Sequence, residues 1–260
     1  MLIKSDDKYI PSLVRLWQRV FGDSEEYIKL FFKEAYYDSE CFAEIVDGEA
    51  VSAFYLIKCH IRYAGKSYEG RYLYAAATLA QYRKNGLMSQ LINEAKVYCK
   101  EKGIDFIALV PADDGLYSYY GRFGFSEAMY KYYFAINNQC VTLRAYREID
   151  DADEFCRIRS SSEGALFYDK KASDYAFECL RFSDNKIISV SDSSFYIDGE
   201  ELFIGEETAS AENFLSSLGG ERVIYSNRPL RDARRIRNGM LYCFNDELNN
   251  KEIYMNIALD

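Results

Sequence analysis

The most informative stretch of this chain is Tyr72-Leu-Tyr-Ala-Ala-Ala-Thr-Leu-Ala-Gln-Tyr-Arg-Lys-Asn-Gly-Leu-Met-Ser-Gln-Leu91. Its first part predicts a strand, which passes through a short loop into a helix. The loop carries Arg83-Lys84-Asn85-Gly86, so positive charge and unpaired backbone amides meet at a helix N-terminus. Because such a terminus attracts negative charge, the stretch predicts a binding site for an anion such as a diphosphate.

Three consecutive alanines, Ala75, Ala76 and Ala77, stand in the predicted strand, although alanine is a poor strand former. They are expected if the arm of a ligand lies against the backbone there, because larger side chains would obstruct it. The alternative is tight packing against a helix.

A second motif, Tyr119-Tyr120-Gly121-Arg122-Phe123-Gly124-Phe125, follows further along the chain. Together with the loop it resembles the coenzyme A site of the GNAT acetyltransferase superfamily. The superfamily loop is written Q/R-x-x-G-x-G/A; Arg83 to Gly86 fits its first four positions, and Met88 replaces the final small residue. The resemblance implies acetyl-CoA as cosubstrate, with no metal. The residues implied to hold it are Ala76, Ala77, Thr78, Leu79, Arg83, Lys84, Asn85, Gly86, Leu87, Met88 and Ser89.

The resemblance also implies a proton donor. Tyr120 fits the superfamily pattern Tyr-x-x-x-Gly-Phe, in which the tyrosine protonates the departing thiolate of coenzyme A. A phenol suits this role because its pKa of roughly 10 keeps it protonated at neutral pH. Tyr117 and Tyr119 are close in sequence, but the register from Gly124 favours Tyr120. Backbone amides from Ala76 to Leu79 would stabilise the oxyanion.

The general base is left open. Glu25 and Glu26 lie where GNAT helices border the acceptor pocket, so Glu26 is the candidate that would attract a cationic amine or accept its proton through water. The alternative is a solvated helix start. His60, the only histidine, falls within a long predicted strand, where a structural role is expected. Asp113 and Asp114 are weaker candidates.

Bulk composition bounds the class of protein. The 260 residues allow one large or two ordinary domains, and 49% apolar residues exclude wholesale disorder. A net charge of −9 argues against a nucleic-acid binder. It suits a cationic small molecule but is also ordinary for a soluble bacterial-type protein, which is the interpretation we favour. Seven cysteines without a C-x-x-C pair indicate a reducing cytosol. No signal peptide or spanning segment is predicted, so we expect a cytoplasmic protein without a membrane partner.

Hydrophobic periodicity predicts the element order β-α-α-β-β-β-α-β-α-β-β for residues 1–138, which is the GNAT order. Its two opening helices are predicted at Ile10–Phe21 and Glu25–Glu34, and Asp47-Gly48 predicts a hairpin. The fold class is therefore α+β with a mixed sheet, and this first half is the catalytic domain.

Residues 139–260 repeat much of this order and predict a second, degenerate GNAT-like domain. Gly205-Glu-Glu-Thr208 stands where the anion loop would be, and its carboxylates would repel a diphosphate. The alternative is an unrelated α+β domain. The predicted elements are an opening strand Val141–Tyr146, helices through Ile158 and over Ala172–Phe182 and Ala211–Leu218, strands Lys186–Val190, Val223–Tyr225, Leu241–Phe244 and Ile253–Ile257, and a hairpin Phe195–Ile204 that turns at Asp198-Gly199.

A basic run precedes Gly239. It is either a patch for phosphate or nucleic acid or, as we favour in so acidic a chain, a solvated helix face. Its members are Arg228, Arg231, Arg234, Arg235 and Arg237.

The Tyr120 motif and the second GNAT-like half resemble the enhanced-intracellular-survival group of acetyltransferases. Members carry a third, sterol-carrier-like domain, for which this sequence has no room, and use a terminal carboxylate in the active site; whether Asp260 does so is open. The resemblance implies an N-acetyltransferase that acts on a primary amine of a small cationic acceptor or peptide. A catalytically inactive coenzyme A sensor or partner-binding module is the alternative, and a tRNA-dependent aminoacyl transferase is a second. The acceptor's identity and any homo-oligomer are left open.

Overall fold

The computed structural model describes residues 2–3, 7–138, 146–160, 163–191, 194–197, 201–204, 208–218, 220–230, 232–251, 253–255 and 259. Four predictions lie wholly or largely outside these residues: the opening strand of the second half, the Asp198-Gly199 turn, the acidic substitute for the anion loop, and the Asp260 carboxylate.

The helices agree closely with the periodicity. They are α1 Ile10–Phe21, α2 Glu25–Glu34, α3 Leu87–Glu101, α4 Asp114–Gly121, α5 Ala152–Ser160, α6 Lys170–Phe182 and α7 Thr208–Ser217. Local chemistry sets the boundary between the first two. Gly22 ends α1 in a left-handed conformation (φ 82°), and the Ser24 hydroxyl accepts a hydrogen bond from the Tyr27 amide at the start of α2.

The strands are β1 Leu2–Ile3, β2 Glu40–Val46, β3 Glu49–Tyr63, β4 Lys66–Thr78, β5 Phe106–Leu109, β6 Ser126–Asn138, β7 Arg147–Glu148, β8 Ala165–Tyr168, β9 Ile187–Ser191, β10 Ser194–Ile197, β11 Glu201–Phe203, β12 Gly220–Ser226, β13 Arg234–Cys243 and β14 Ile253–Met255. The predicted Asp47-Gly48 turn joins β2 to β3, with both residues at positive φ as a two-residue hairpin requires.

Within the described residues these strands form one mixed sheet. Its order is β1-β2-β3-β4-β5-β13-β6-β12-β11-β10-β9-β7, and β14 bridges β6 and β8. The α+β class with a mixed sheet is thus confirmed. Helices cover both faces: α1, α2, α5 and α6 pack on one core cluster, and α3 and α4 pack on another.

The two halves exchange strands. Strand β13 of the second half lies between β5 and β6, where Met240 pairs with Leu109 and Leu241 with Ser126. Strand β6 in turn pairs with β12 of the second half. The prediction that the first half supplies both of its closing strands is therefore wrong, because the second of them is β13. The boundary between 138 and 139 stays a prediction.

Two further details correct the sequence reading. Strand β8 was not predicted; it pairs with β3, placing Cys59 opposite Tyr168. The basic run does not form a helix face, because Arg234, Arg235 and Arg237 belong to β13.

Candidate active site

A cleft opens where β4 and β5 part. The two strands pair in parallel from Gly70–Phe106 to Tyr72–Ala108, and no pairing continues beyond within the described residues. Gly70 permits the close approach, since a Cβ there would meet the Phe106 ring at 2.1 Å. Further along, β4 carries a bulge that bends it away from β5.

The bulge lies in the alanine run. Ala77 pairs with Ala53 and Tyr74 with Tyr55, so Ala75 and Ala76 together face one residue of β3. Ala75 has a φ of 51°, in the left-handed region. The small alanine side chains therefore accommodate the bulge and also leave space in front of the strand. The sequence did not predict the bulge.

The cleft has a volume of about 670 Å³. Four groups of residues and the separate Leu259 form it: the end of α1 with the following turn, the part of β4 around its bulge, the segment from β5 into α4, and β6 with β13. The lining residues are Trp17, Phe21, Asp23, Tyr72, Leu73, Tyr74, Ala75, Ala76, Leu109, Val110, Pro111, Ala112, Asp113, Asp114, Leu116, Tyr117, Tyr120, Lys131, Arg237, Asn238 and Leu259.

Two phenols line the cleft. Tyr120 is 6% exposed and packs edge-on against Tyr119 and Phe125. Burial raises the pKa of Tyr120 far above its ordinary value, and the neighbouring Tyr119 raises it further. Tyr117 also lines the cleft, and burial raises its pKa while Arg237 opposes the rise. Tyr119 points elsewhere, with its hydroxyl 3.2 Å from the Ser89 Oγ.

The predicted anion loop leads into α3 as expected. Lys84 (φ 65°) and Gly86 (φ 79°) both take left-handed conformations, and Gly86 caps the helix without a side-chain hydrogen bond. The first amide of α3 that donates to a carbonyl one turn back is that of Gln90, which bonds the Gly86 carbonyl. The amides from Leu87 to Ser89 precede it, at positions where a helix offers them no carbonyl. The Arg83 Nε donates to the Thr78 carbonyl at 3.0 Å and so ties the loop to the end of β4.

The other predicted coenzyme residues lie in three kinds of surroundings: the cleft, the core beneath α3 and the contacts between β4 and β3. Ala76 lines the cleft, and Met88 packs against the core cluster beneath α3, which leaves the helix start open. The Leu79 amide donates to the Val51 carbonyl at 2.9 Å. Thr78 Oγ1 lies 2.8 Å from the Ser52 Oγ. The Leu79 amide is therefore engaged within the sheet.

Among the described residues, three carboxylates line the cleft, those of Asp23, Asp113 and Asp114, and the predicted Glu26 is not one of them. Glu26 is exposed in the first turn of α2 and is absent from the lining. Asp23, one turn earlier, lines the cleft and accepts a hydrogen bond from the Trp17 indole Nε1 at 2.7 Å. Its position between the two predicted helices is the one signal for it in the sequence.

The remaining titratable candidates have structural partners. His60 Nε2 lies 2.5 Å from Asp169 Oδ1, and its ring stacks on Phe167, outside the cleft. This hydrogen bond lowers the pKa of Asp169. Asp113 lines the cleft, but its carboxylate caps α4 through the Leu116 amide at 2.8 Å.

The second half contributes Arg237 to the cleft. Its guanidinium lies 4.1 Å from the centre of the Tyr117 ring, bonds Glu127 at 3.0 Å and also bonds Asp114. The basic run in the sequence was the signal for this residue, but only the strand exchange brings it to the first half.

Comparison with protein families agrees with this geometry. Residues 2–128 match the family model described as an acetyltransferase (GNAT) domain. The first half of this chain is a GNAT acetyltransferase domain. The protein is accordingly an acyltransferase, and the recognition made from its loop and tyrosine motif is confirmed. No curated protein matches the chain.

Solved structures with a similar fold extend over both halves. A conserved protein of unknown function from Enterococcus faecalis V583 has a TM-score of 0.72 at 12% identity, covering 97% of this chain and 74% of its own. A GCN5-related N-acetyltransferase from Anabaena variabilis ATCC 29413 has 0.70 at 14%, covering 97% and 75%. Eis1 from Mycobacterium abscessus has 0.66 at 11%, covering 93% and 73%. The fold of nearly the whole chain, and not of its GNAT domain alone, is therefore similar to that of these proteins. Among the described helices, none combines the length and apolar character needed to cross a membrane.

Proposed function

We propose that this protein transfers the acetyl group of acetyl-CoA to a primary amine of a small cationic acceptor or a peptide. The observation that carries the proposal is the cleft between the diverging ends of β4 and β5, which the buried Tyr120 lines, in a chain whose β4 is followed by the uncapped start of α3. Residues 1–138 would form the catalytic domain and residues 139–260 a GNAT-like domain that shapes the acceptor side.

The residues present suit the coenzyme. Amides from Leu87 to Ser89 would donate to its diphosphate, because they lead α3 without a side-chain cap, and the exposed Lys84 would add positive charge. The alanine surface at Ala75 and Ala76 would admit the pantetheine arm. Bound acetyl-CoA supplies an activated thioester.

The chain's own groups would then handle charge and protons. Backbone amides in the bulge at Ala75 and Ala76 are the proposed donors to the developing oxyanion, a contribution that needs fixed geometry. Tyr120 would give its proton to the departing sulfur, because burial keeps the phenol neutral. Asp23 would attract the cationic amine, taking the place that Glu26 was expected to fill. The amine would release one proton to solvent before it attacks, and the proton that it loses on forming the amide would restore the Tyr120 phenol.

Thermal unfolding with and without acetyl-CoA tests the coenzyme site. At about 100 times its Kd, a ligand of the native state adds about 2.7 kcal/mol, a rise in Tm of roughly 2–4 °C for a chain of this size. Lys84→Glu and Arg83→Glu should abolish the rise. Lys100→Glu, on the exposed face near the end of α3, changes the same charge and should keep it.

The outcome separates three cases. A rise together with acetylation of amines in a broad panel supports the enzyme. A rise without any acetylation indicates the inactive coenzyme A sensor. No rise at millimolar acetyl-CoA would refute the coenzyme site.

A further inference from the structure

Among the described residues, strands β6, β12 and β13 leave one face of the sheet uncovered. On their other face, Ile136 and Ile224 pack with Phe214 of α7. On the uncovered face Val223 is 41% exposed, and its cross-strand partner Ala135 is exposed as well.

Aromatic rings and cations share this face. Tyr133 lies opposite Tyr225 on β12 and opposite Arg234 on β13, so the three side chains project to the same side. Lys131, two residues before Tyr133, shares that side, and its Nζ lies 4.6 Å from the centre of the Tyr225 ring.

These two cations differ from Arg237. Arg237 bonds two carboxylates, whereas neither Lys131 nor Arg234 has a carboxylate partner among the residues that the structure describes. Two such cations on one open face are notable in a chain of net charge −9, in which acidic side chains outnumber basic ones.

The face is continuous with the cleft. Lys131 and Asn238 both line the cleft. Arg234 stands four residues before Asn238 on the same strand, which corresponds to about 13 Å. A molecule whose amine enters the cleft can therefore extend along β13 past both cations.

We propose that the acceptor carries a negatively charged group, a phosphate or a carboxylate, which Lys131 and Arg234 bind on this open sheet face. The half-buried rings of Tyr133 and Tyr225 would contact the acceptor's body between its amine and its anionic group. The proposal rests on the proposed acetyltransferase activity and narrows its acceptor to an amine with a remote anion. Asp23 would receive the amine end, and Lys131 of β6 together with Arg234 of β13 the anionic end.

Matched acceptors of one chain length test the preference. Rates with acetyl-CoA would be compared for hexylamine, 6-aminohexanoate and 6-aminohexyl phosphate. Two exposed ion pairs should favour an anionic acceptor by about five- to tenfold in kcat/KM over hexylamine, and salt should reduce the ratio. The carboxylate and phosphate arms identify which anion is preferred. In the Lys131→Gln/Arg234→Gln double variant the ratio should fall to about one. Lys100→Gln/Lys102→Gln, at the end of α3, removes the same charge and should keep the ratio.

A binding measurement decides the question even without turnover. Hexyl phosphate has no amine to acetylate, so calorimetric titration of the full chain reports the anion site alone once saturating acetyl-CoA occupies the start of α3. We expect binding in the wild type that weakens at least fivefold in the Lys131/Arg234 double variant. No binding to the wild type, or equal binding to both, would overturn the proposal. Loss of acetyl-CoA binding would instead count against the proposed function, so the two failures are distinguishable.

Discussion

The Tyr74 hydroxyl on β4 lies 2.9 Å from the Tyr175 hydroxyl on α6, in a buried hydrogen bond between the two halves of the chain. Tyr74 lines the cleft, and Tyr175 is fully buried. Phe31 packs between them, with its ring centre 5.6 Å from that of Tyr74 and 5.5 Å from that of Tyr175. The second half therefore supports the wall of the cleft directly.

Tyr175→Phe should destabilise the protein by about 1 kcal/mol, because it removes one partner of a buried hydrogen bond and leaves the packing in place. Urea unfolding measures the change. Tyr37→Phe is the control, since that hydroxyl bonds Asp7 on an exposed surface, and its effect should stay within about 0.5 kcal/mol. Equal stability of wild type and Tyr175→Phe would show that the bond contributes nothing.

Tyr120→Phe should lower kcat by about 10²–10⁴ if the phenol is the proton donor. The acetyl-CoA thermal shift should persist, because the ring remains. Tyr117→Phe is the matched comparison in the same cleft, and its kcat should fall less than about tenfold. A larger loss in Tyr117→Phe than in Tyr120→Phe would transfer the role to Tyr117.

The pH dependence of kcat gives an independent check on Tyr120. Burial raises its pKa above the ordinary 10.0, so the proton-donating form is present below that value and is lost only at higher pH. The rate should therefore show no alkaline fall up to about pH 10. Stopped assays at a series of pH values up to about 10 would detect a fall in rate that begins below pH 10. A fall that begins near pH 8 and disappears in Tyr120→Phe would contradict a buried donor.

Ala75→Gly should stabilise the protein by up to about 1 kcal/mol, because glycine adopts the left-handed bulge conformation without the Cβ clash. Ala43→Gly is the contrast, since Ala43 is buried in β2 and glycine there should cost roughly 0.5–1 kcal/mol. Chemical denaturation of both variants measures whether each substitution raises or lowers the free energy of unfolding. Destabilisation by Ala75→Gly would mean that the bulge carries no strain.

Local signals predicted the elements that local chemistry determines. The bounds of α1 and α2 followed from apolar spacing and from Gly22 and Ser24 at their junction. The loop at Arg83–Gly86 was predictable because glycine, basic residues and a helix start are adjacent in the sequence. Tyr120 was found through its spacing from Gly124.

Contacts between residues that are distant in the sequence had no such local signal. Nothing near Phe125 indicates that the neighbouring strand comes from Arg234–Cys243 of the second half. Arginines with exposed side chains on a strand resemble a solvated helix face in sequence. The sequence did not indicate Asp23, because its carboxylate is placed at the cleft by the packing of α1 and by its hydrogen bond from Trp17. The site therefore depends on contacts that periodicity does not encode.

The strand exchange also constrains the order in which the molecule forms. Strand β5 is complete early in synthesis, yet its partner β13 leaves the ribosome only after well over a hundred further residues, a separation that slows folding. Until then the β5 edge stays unpaired and open to wrong partners. The candidate cleft is thus among the last features to form, and the nascent first half is the species that chaperones would need to protect.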